Sequence, residues 1–349
     1  MTGKDPLVSI GMPVRNGGRY LGEAISSLLG QEFGDFELVI SDNASEDSTE
    51  EICRTFARSD RRITYERIGE DAGANANFNR VLSLAVAPHF MWAAHDDRWD
   101  PRFISRCVAS LQGNGEAVSC ATGIQFIDAF GQPTGLVQEG AELNSPCWTT
   151  RVAAIIARHD GHIGFGFYGL HRTSALRRVS PLGFDFGADV LLTLRLAKLG
   201  PWCWVPEPLF QYRVQAKPGS GELAWPPTAD TASHPVSQLA ATVWRELGTC
   251  SPGRRATIAA RSRFVLALLH LDGGWRTFLL KENGNLVRSA IAGRDPVGVV
   301  RHGLMRLVLD PFSPVRRKNW DAARQAGGIP IDTRTSHGCS KTRDTSRCR

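Results

Sequence analysis

Over its first 110 or so residues the chain repeats one pattern four times: a short apolar run, a polar loop, then a stretch with helical spacing. Leu7–Val14 is apolar with a proline near its end, as in a buried strand. Tyr20–Leu29 carries apolar residues at 21, 24, 25, 28 and 29, which line one face of a helix. Phe36–Ser41 is a second strand. The turn-rich SDNASEDSTEEI follows it and enters a helix, with Ser48 or Asp47 as N-cap and acids in the first turn. Ile63–Glu66 is a third strand, Asn75–Ala87 a helix and His89–Ala94 a fourth strand. Pro101 opens the next helix, which runs to about Leu111. Alternation of this kind predicts an α/β protein with a mostly parallel, Rossmann-like sheet and helices on both faces. Ligands of such sheets bind outside the carboxyl ends of the strands. Two acidic clusters fall at those ends, Asp42–Asp47 and His95–Asp97.

Beyond this region, residues 117–137 read as a β-hairpin and Ala188–Leu199 as a helix closed by Gly200. Trp202–Val205 and Leu209–Val214 read as two short strands divided by Pro-Glu-Pro. The expected organisation is a domain over 1–215 and a Pro/Gly/Ser-rich linker over 216–235. A helical extension over 236–312 (candidates 237–248, 254–270, 275–292 and 296–309) and a basic, disordered tail over 313–349 complete it. Charge divides the same way: the net +6 is −6 over residues 1–250 and +12 over 251–349. Nucleic acid, an anionic membrane surface or mere solvation of an arginine-rich tail would each account for the excess. The 8 cysteines contain no C-x-x-C pair, which argues against a zinc or redox site and for a reducing compartment. Cys107, Cys120 and Cys203 lie in apolar runs and read as small core residues. The N-terminus reads as a first strand, not a signal peptide, and no apolar run of about 18 residues suggests a membrane span. A cytoplasmic location is expected.

MWAAHDDRWDP, residues 91–101, is the sharpest chemical feature. A buried strand ends in adjacent carboxylates, Asp96 and Asp97. Such a pair repels itself unless a cation or donor groups neutralise it. A hard divalent ion held by few carboxylates and by substrate phosphates does so, and takes up charge on a departing diphosphate. The alternative is a capping cluster for the helix at Pro101, with Asp100 as the natural cap.

Three motifs in order carry a resemblance. Pro13-Val14-Arg15-Asn16 ends the first strand, Asp42-Asn43-Ala44-Ser45-Glu46-Asp47-Ser48-Thr49 ends the second, and Ala94-His95-Asp96-Asp97 follows the fourth. Together with GANANFNRVLSLA, they resemble the family 2 glycosyltransferases over roughly residues 6–215. The resemblance implies a GT-A fold and an inverting transfer of a sugar from a nucleotide-diphosphate sugar to a sugar or lipid-linked acceptor, in polysaccharide, glycolipid or cell-envelope synthesis, with Mn²⁺ or Mg²⁺. Carried over residue by residue, Pro13, Arg15 and Asn16 line the nucleotide pocket and Asp42 reads the base. Asp96 faces the ribose or the metal, and Asp97 is the direct metal ligand. Arg80 is a further phosphate candidate. The general base is Asp189, with Asp185 as fallback. Acceptor contacts are expected in HDGHIGFGFYGLHR, at Phe165, Gly166 and His171. Two positions depart from the family pattern: Ala94 stands where many members have a third aspartate, and Ala188 stands where an acid often precedes the base.

Structural alternatives exist for each residue. Asp42 suits an Asx-turn, Asp189 a first-turn acid favoured by the helix dipole, Arg80 a solvated helix charge, and the Gly-aromatic loop an irregular core segment. Trp92, Trp99, Trp202 and Trp204 read as core or wall residues. Two other functions share the fold class: a sugar nucleotidyltransferase, which needs a longer early Gly-rich loop than Asn16-Gly17-Gly18-Arg19, and a nucleotide-sugar-binding protein without turnover, which Ala94 and Ala188 motivate. A dinucleotide oxidoreductase is disfavoured because no G-x-G-x-x-G follows the first strand. The basic C-terminal helices are expected to dock on an anionic membrane rather than on nucleic acid.

Overall fold

The computed structural model describes residues 5–138, 140–157, 163–181, 187–214 and 242–246. The chain divides into two compact units, Met1–Asp230 and Thr231–Arg349. Of the second, only the helical stretch 242–246 is described, so the predicted linker, the other C-terminal helices and the basic tail lie outside the described residues.

In the first unit the strands are β1 (Val8–Val14), β2 (Phe36–Asn43), β3 (Ile63–Ile68), β4 (His89–Trp92), β5 (Arg98–Trp99), β6 (Ser119–Ile127), β7 (Pro133–Val137), β8 (Leu170–Arg172) and β9 (Trp202–Arg213). The helices are α1 (Leu21–Leu29), α2 (Thr49–Ser59), α3 (Ala74–Leu84), α4 (Phe103–Gly113), α5 (Trp148–Ala157), α6 (Thr173–Val179) and α7 (Ala188–Leu199). Among the described residues the strands form one sheet ordered β3-β2-β1-β4-β8-β6-β9-β5, with β7 paired to β6. β3, β2, β1 and β4 are parallel. β8 is antiparallel to both β4 and β6, so β6 and its parallel neighbour β9 run the same way as β4. The carboxyl ends of β1, β2, β4, β6 and β9 therefore share one edge.

Burial explains the central strands. All seven residues of β1 are buried, as a parallel strand covered on both faces requires. α1 turns Leu21, Ala24, Ile25 and Leu28 into the core, and full burial of each of the larger three stabilises by roughly 1.5–3 kcal/mol. Cys107, Cys120 and Cys203 are buried, as are Trp92, Trp99 and Trp202.

Two expectations are corrected. α3 stops at Leu84 instead of reaching Ala87, because the residue before Pro88 is biased away from helix. The amides of Val86 and Ala87 turn to Ser9 Oγ, at 3.2 and 3.0 Å. The two strands expected around Pro-Glu-Pro are one strand, β9, whose pairing with β6 slips between Thr122 and Ile124. Gly123 makes room for this bulge: a Cβ there would lie 2.6 Å from the Pro206 carbonyl oxygen. The predicted 117–137 hairpin forms as β6–β7, while α5, β8 and α6 were not anticipated.

β1 packs closely beneath α3. A Cβ on Gly11 would lie 2.6 Å from Phe90 Cζ and 2.8 Å from Val81 Cβ, both core atoms, whereas nothing lies within 4 Å at Gly34. Gly11→Ala is expected to cost about 1–3 kcal/mol and Gly34→Ala under about 0.5 kcal/mol, read from urea unfolding midpoints. Equal midpoints for the two variants would contradict this account of β1 packing.

Candidate functional site

The loops after β1 and β2 are stitched together by hydrogen bonds. The amides of Asn16, Gly17 and Gly18 donate to Ser45 Oγ, Thr49 Oγ1 and Asp47 Oδ2, each at 2.9 Å. Asn16 Oδ1 accepts from the Glu46 amide at 2.9 Å. Asn16 and Ala44 take left-handed φ values of 51° and 55°, a region Asn tolerates better than Ala. Burial pulls the Asp47 carboxyl upward, but hydrogen bonds from the Thr49 side chain and from the Gly18 and Thr49 amides outweigh it and leave the group below its ordinary range.

Asp42, at the end of β2, is fully buried. Its Oδ1 accepts from the Ser45 amide at 2.9 Å and its Oδ2 from the Tyr65 hydroxyl at 2.8 Å, with Arg67 Nε 3.5 Å away. Arg67 also donates to the Ser45 carbonyl at 2.7 Å. Asp42 thus acts as the organiser of the 42–49 turn, and each engaged oxygen retains a lone pair. Arg15 forms an ion pair with Asp71, which also accepts from Asn43 Nδ2 at 2.6 Å. Pro13 lies in β1 opposite Ser41. Arg80 is paired with Glu66.

β1 lies between β2 and β4, so the Asp96–Asp97 loop arrives beside these loops. The Ala93 amide donates to Gly11 O at 2.9 Å, and the His95 ring packs against Gly17, where a Cβ would lie 2.9 Å from His95 Cδ2. Asp97 is buried. Its Oδ1 accepts from the Arg213 amide at 2.8 Å, while its buried Oδ2 has no hydrogen-bond partner among the described residues. Burial, then the neighbouring Asp96, push the Asp97 carboxyl well above its ordinary range, against the opposing pull of Arg213. At the entry to α4 it is Asp100 that accepts from the Arg102 amide, at 3.0 Å through its side chain, and from the Phe103 amide, at 2.9 Å through its carbonyl.

A buried carboxylate oxygen with no partner fits a cation. Among the described residues no group of three or more His, Cys, Asp or Glu side chains could hold one. Among the described residues the acids that could hold one are Asp96 and Asp97, a small set of the kind that suits Mg²⁺ or Mn²⁺ keeping waters and phosphate oxygens as other ligands.

Asp189 lies in the first turn of α7, after Gly187 at φ 68°. Burial raises its carboxyl above the ordinary range despite donation from the amides at 190 and 189. It shares two tyrosines with the acidic loop. Burial first, then Asp97, Asp96 and Asp189, push Tyr212 up to about 12, and the same three acids act on Tyr168. Both rings flank Phe210, at 5.7 and 6.4 Å. Asp185 and the Phe165 side chain lie outside the described residues.

One acceptor-side expectation is corrected. His171 is fully buried, its Nδ1 2.8 Å from Ser119 Oγ and its Nε2 3.1 Å from the Phe167 carbonyl, with Trp92 and Trp202 at its edges. Burial lowers its pKa to about 4, so it is a neutral core residue. Gly166 is needed for packing: a Cβ would lie 2.7 Å from Trp202. Tyr65, Arg67, Tyr168, Tyr212 and Arg213 were missed. Only Tyr65 and Arg67 left a signal, two polar residues at i and i+2 on the strand beside Asp42.

Because Asp97 is raised in the fold, the stability it contributes is fully present below 3.8, its unfolded value, and is lost as pH rises through the folded value. In EDTA at pH 7.5, Asp97→Asn is expected to be more stable than the parent by roughly 1–2 kcal/mol, read from thermal unfolding. Mn²⁺ is expected to raise the parent's midpoint and leave the variant's unmoved. A variant that melts lower would mean Oδ2 has a partner.

Residues 9–178 match the family described as glycosyl transferase family 2. TuaG of Bacillus subtilis (strain 168), named for teichuronic acid biosynthesis, is 31% identical over 99 residues, 28% of this chain and 39% of that one. WcaA of Escherichia coli (strain K12), named for colanic acid biosynthesis, is 32% identical over 108 residues, 31% and 39% of the two chains. The chain thus spans under two fifths of the length of these relatives. In fold it resembles S. aureus TarS in complex with UDP-GlcNAc (TM-score 0.58, 12% identity, 89% of this chain and 92% of that one). It also resembles the mannosyltransferase PcManGT of Pyrobaculum calidifontis in complex with GDP-Man and Mn²⁺ (TM-score 0.51, 15% identity, 92% and 85%). At these identities the likeness is one of fold, the GT-A arrangement of a mostly parallel sheet between helices. Residues 9–178, just under half of the chain, carry a glycosyl transferase family 2 domain.

Proposed function

We propose that the chain transfers a sugar, with inversion, from a uridine- or guanosine-diphosphate sugar to an acceptor hydroxyl in the synthesis of an envelope polysaccharide or glycolipid. The observation that carries this reading is the buried Asp97 Oδ2, unpartnered among the described residues, at the sheet edge where the loops after β1, β2 and β4 meet. Pro13, Arg15, Asn16 and Asp42 line the nucleotide side. Asp97, with Asp96, would hold Mn²⁺ or Mg²⁺, which when bound neutralises charge on the leaving diphosphate. The names of relatives and fold neighbours support the donor class, the metal and the envelope context.

In the transfer, the acceptor oxygen forms a bond to the anomeric carbon as the bond from that carbon to the diphosphate oxygen breaks. The acceptor proton passes to the Asp189 carboxylate, and the bonding pair leaves with the nucleoside diphosphate. A carboxyl raised by burial is a better proton acceptor than an ordinary one. Tyr168 and Tyr212 feel the charges of all three acids.

The test is nucleoside diphosphate release from a panel of UDP- and GDP-sugars with Mn²⁺ or Mg²⁺. Asp189→Asn is expected to keep donor binding and lose turnover about 10²–10⁴-fold, and Asp97→Asn to lose metal-dependent turnover. The acid limb of the parent's kcat/KM profile should lie above pH 3.8, the ordinary carboxyl value. Normal rates in both variants would refute the assignment. Ala94 and Ala188 favour a second reading, a nucleotide-sugar-binding protein without turnover, which the same assay identifies as donor binding with no release.

Among the described residues no helix is long and apolar enough to cross a membrane. A cytoplasmic enzyme docked peripherally through the basic residues 251–349 fits a lipid-linked acceptor. The full chain should then co-sediment with vesicles of phosphatidylglycerol and phosphatidylcholine, and deletion of 251–349 should abolish this. Failure of the full chain to sediment removes the idea.

A further inference from the structure

Four parts of the fold meet at the Arg213 guanidinium, which is 1% exposed although it carries a charge. Nε donates to the Asp96 carbonyl at 2.7 Å, Nη1 to the Asp128 carbonyl in the β6–β7 turn at 3.1 Å, and Nη2 to Glu23 Oε2 of α1 at 2.6 Å. The guanidinium carbon lies 4.3 Å from the Tyr20 ring centroid. Glu23 is fixed in turn by Arg98 Nη1 at 2.6 Å, whose Nη2 donates to the Gly131 carbonyl at 3.0 Å. The main-chain amide of Arg213 donates to Asp97 Oδ1.

Its ion-pair partner Glu23 is exposed to solvent, and a pair screened on one side adds little net stability. What Arg213 supplies is direction. It holds the carbonyl between the two acids with its side chain and one oxygen of the second acid with its backbone. Asp97 Oδ2 is thereby left as the oxygen with no hydrogen-bond partner among the described residues. Only a planar fork can donate to Glu23 and to two divergent carbonyls at once; an ammonium keeps the charge but not that geometry. Arg213 also lies 35 residues past Arg178, the end of the matched family segment.

We propose that Arg213 is the positioning residue of the acidic loop, setting the backbone at Asp96 and the rotation of Asp97 so that Oδ2 faces the cation. This inference rests on the cation reading given under Proposed function.

The test titrates the full chain with Mn²⁺ alone, followed by loss of the free-ion EPR signal, alongside thermal unfolding. Arg213→Lys is expected to weaken Mn²⁺ binding about tenfold or more, as loss of a group that orients a ligand does. Glu23→Gln, which removes the charge partner without touching the loop, is expected to weaken it about three- to fivefold, below that range. Arg151→Lys is the control: Arg151 is also buried and bonded to three carbonyls, those of Ala197, Ser145 and Pro146. It should lower the unfolding midpoint and leave Mn²⁺ affinity unchanged. If Arg213→Lys binds Mn²⁺ within twofold of the parent, or Arg151→Lys weakens binding equally, the positioning role is overturned. If Asp97→Asn also binds like the parent, the cation reading falls and takes the positioning role with it.

Discussion

Parallel pairing of β1 with β2 on one side and β4 on the other forces three separate loops to leave the sheet at the same edge. Each parallel connection must cross a face before the next strand begins, so the chain returns to that edge three times within its first 100 residues. Those returns deliver the Arg15–Gly18 loop, the Asp42–Thr49 turn and the Asp96–Asp97 loop. The tight fit of Gly11 beneath Phe90 and Val81 holds the strands at the spacing this requires. The same edge receives the ends of β6 and β9 because β8 reverses direction between β4 and β6.

Buried carboxylates are handled differently at the two acidic loops. Asp42 is surrounded by donors: an amide, a phenol hydroxyl and a nearby guanidinium. Its charge is compensated within the fold, and it shapes a turn. Asp97 is equally buried, yet one of its oxygens meets only the Arg213 amide and the other meets nothing among the described residues. A low-dielectric site that leaves a carboxylate uncompensated favours the neutral form, unless a cation completes it. The Arg213 guanidinium is near enough to help but directs its donors to carbonyls and to Glu23.

Most of the parallel half was legible in the sequence because its signals are local. The strands β1 to β4 and the helices α1, α2 and α4 follow from apolar spacing, capping residues and proline, and the motif residues fall at strand ends. The acceptor half was less legible. His171 and Gly166 sit in a stretch whose glycines and aromatics suit a sugar site, but the same residues pack on Trp202. Composition cannot tell an aromatic that faces solvent from one that closes a core. Pro-Glu-Pro reads locally as a break, yet β9 runs through it because β6 supplies a bulge at Gly123.

By itself the sequence determined the fold class, the order of the first strands and helices, and the acids at their ends, because hydrophobic period and turn chemistry act over a few residues. Which acid lacks a partner was decided only by tertiary structure. So was the convergence of Arg213, Glu23 and the Asp96 carbonyl. Such facts depend on contacts between residues about a hundred or more positions apart, and burial and hydrogen-bond satisfaction are set by what the fold brings near, not by what is adjacent in the chain.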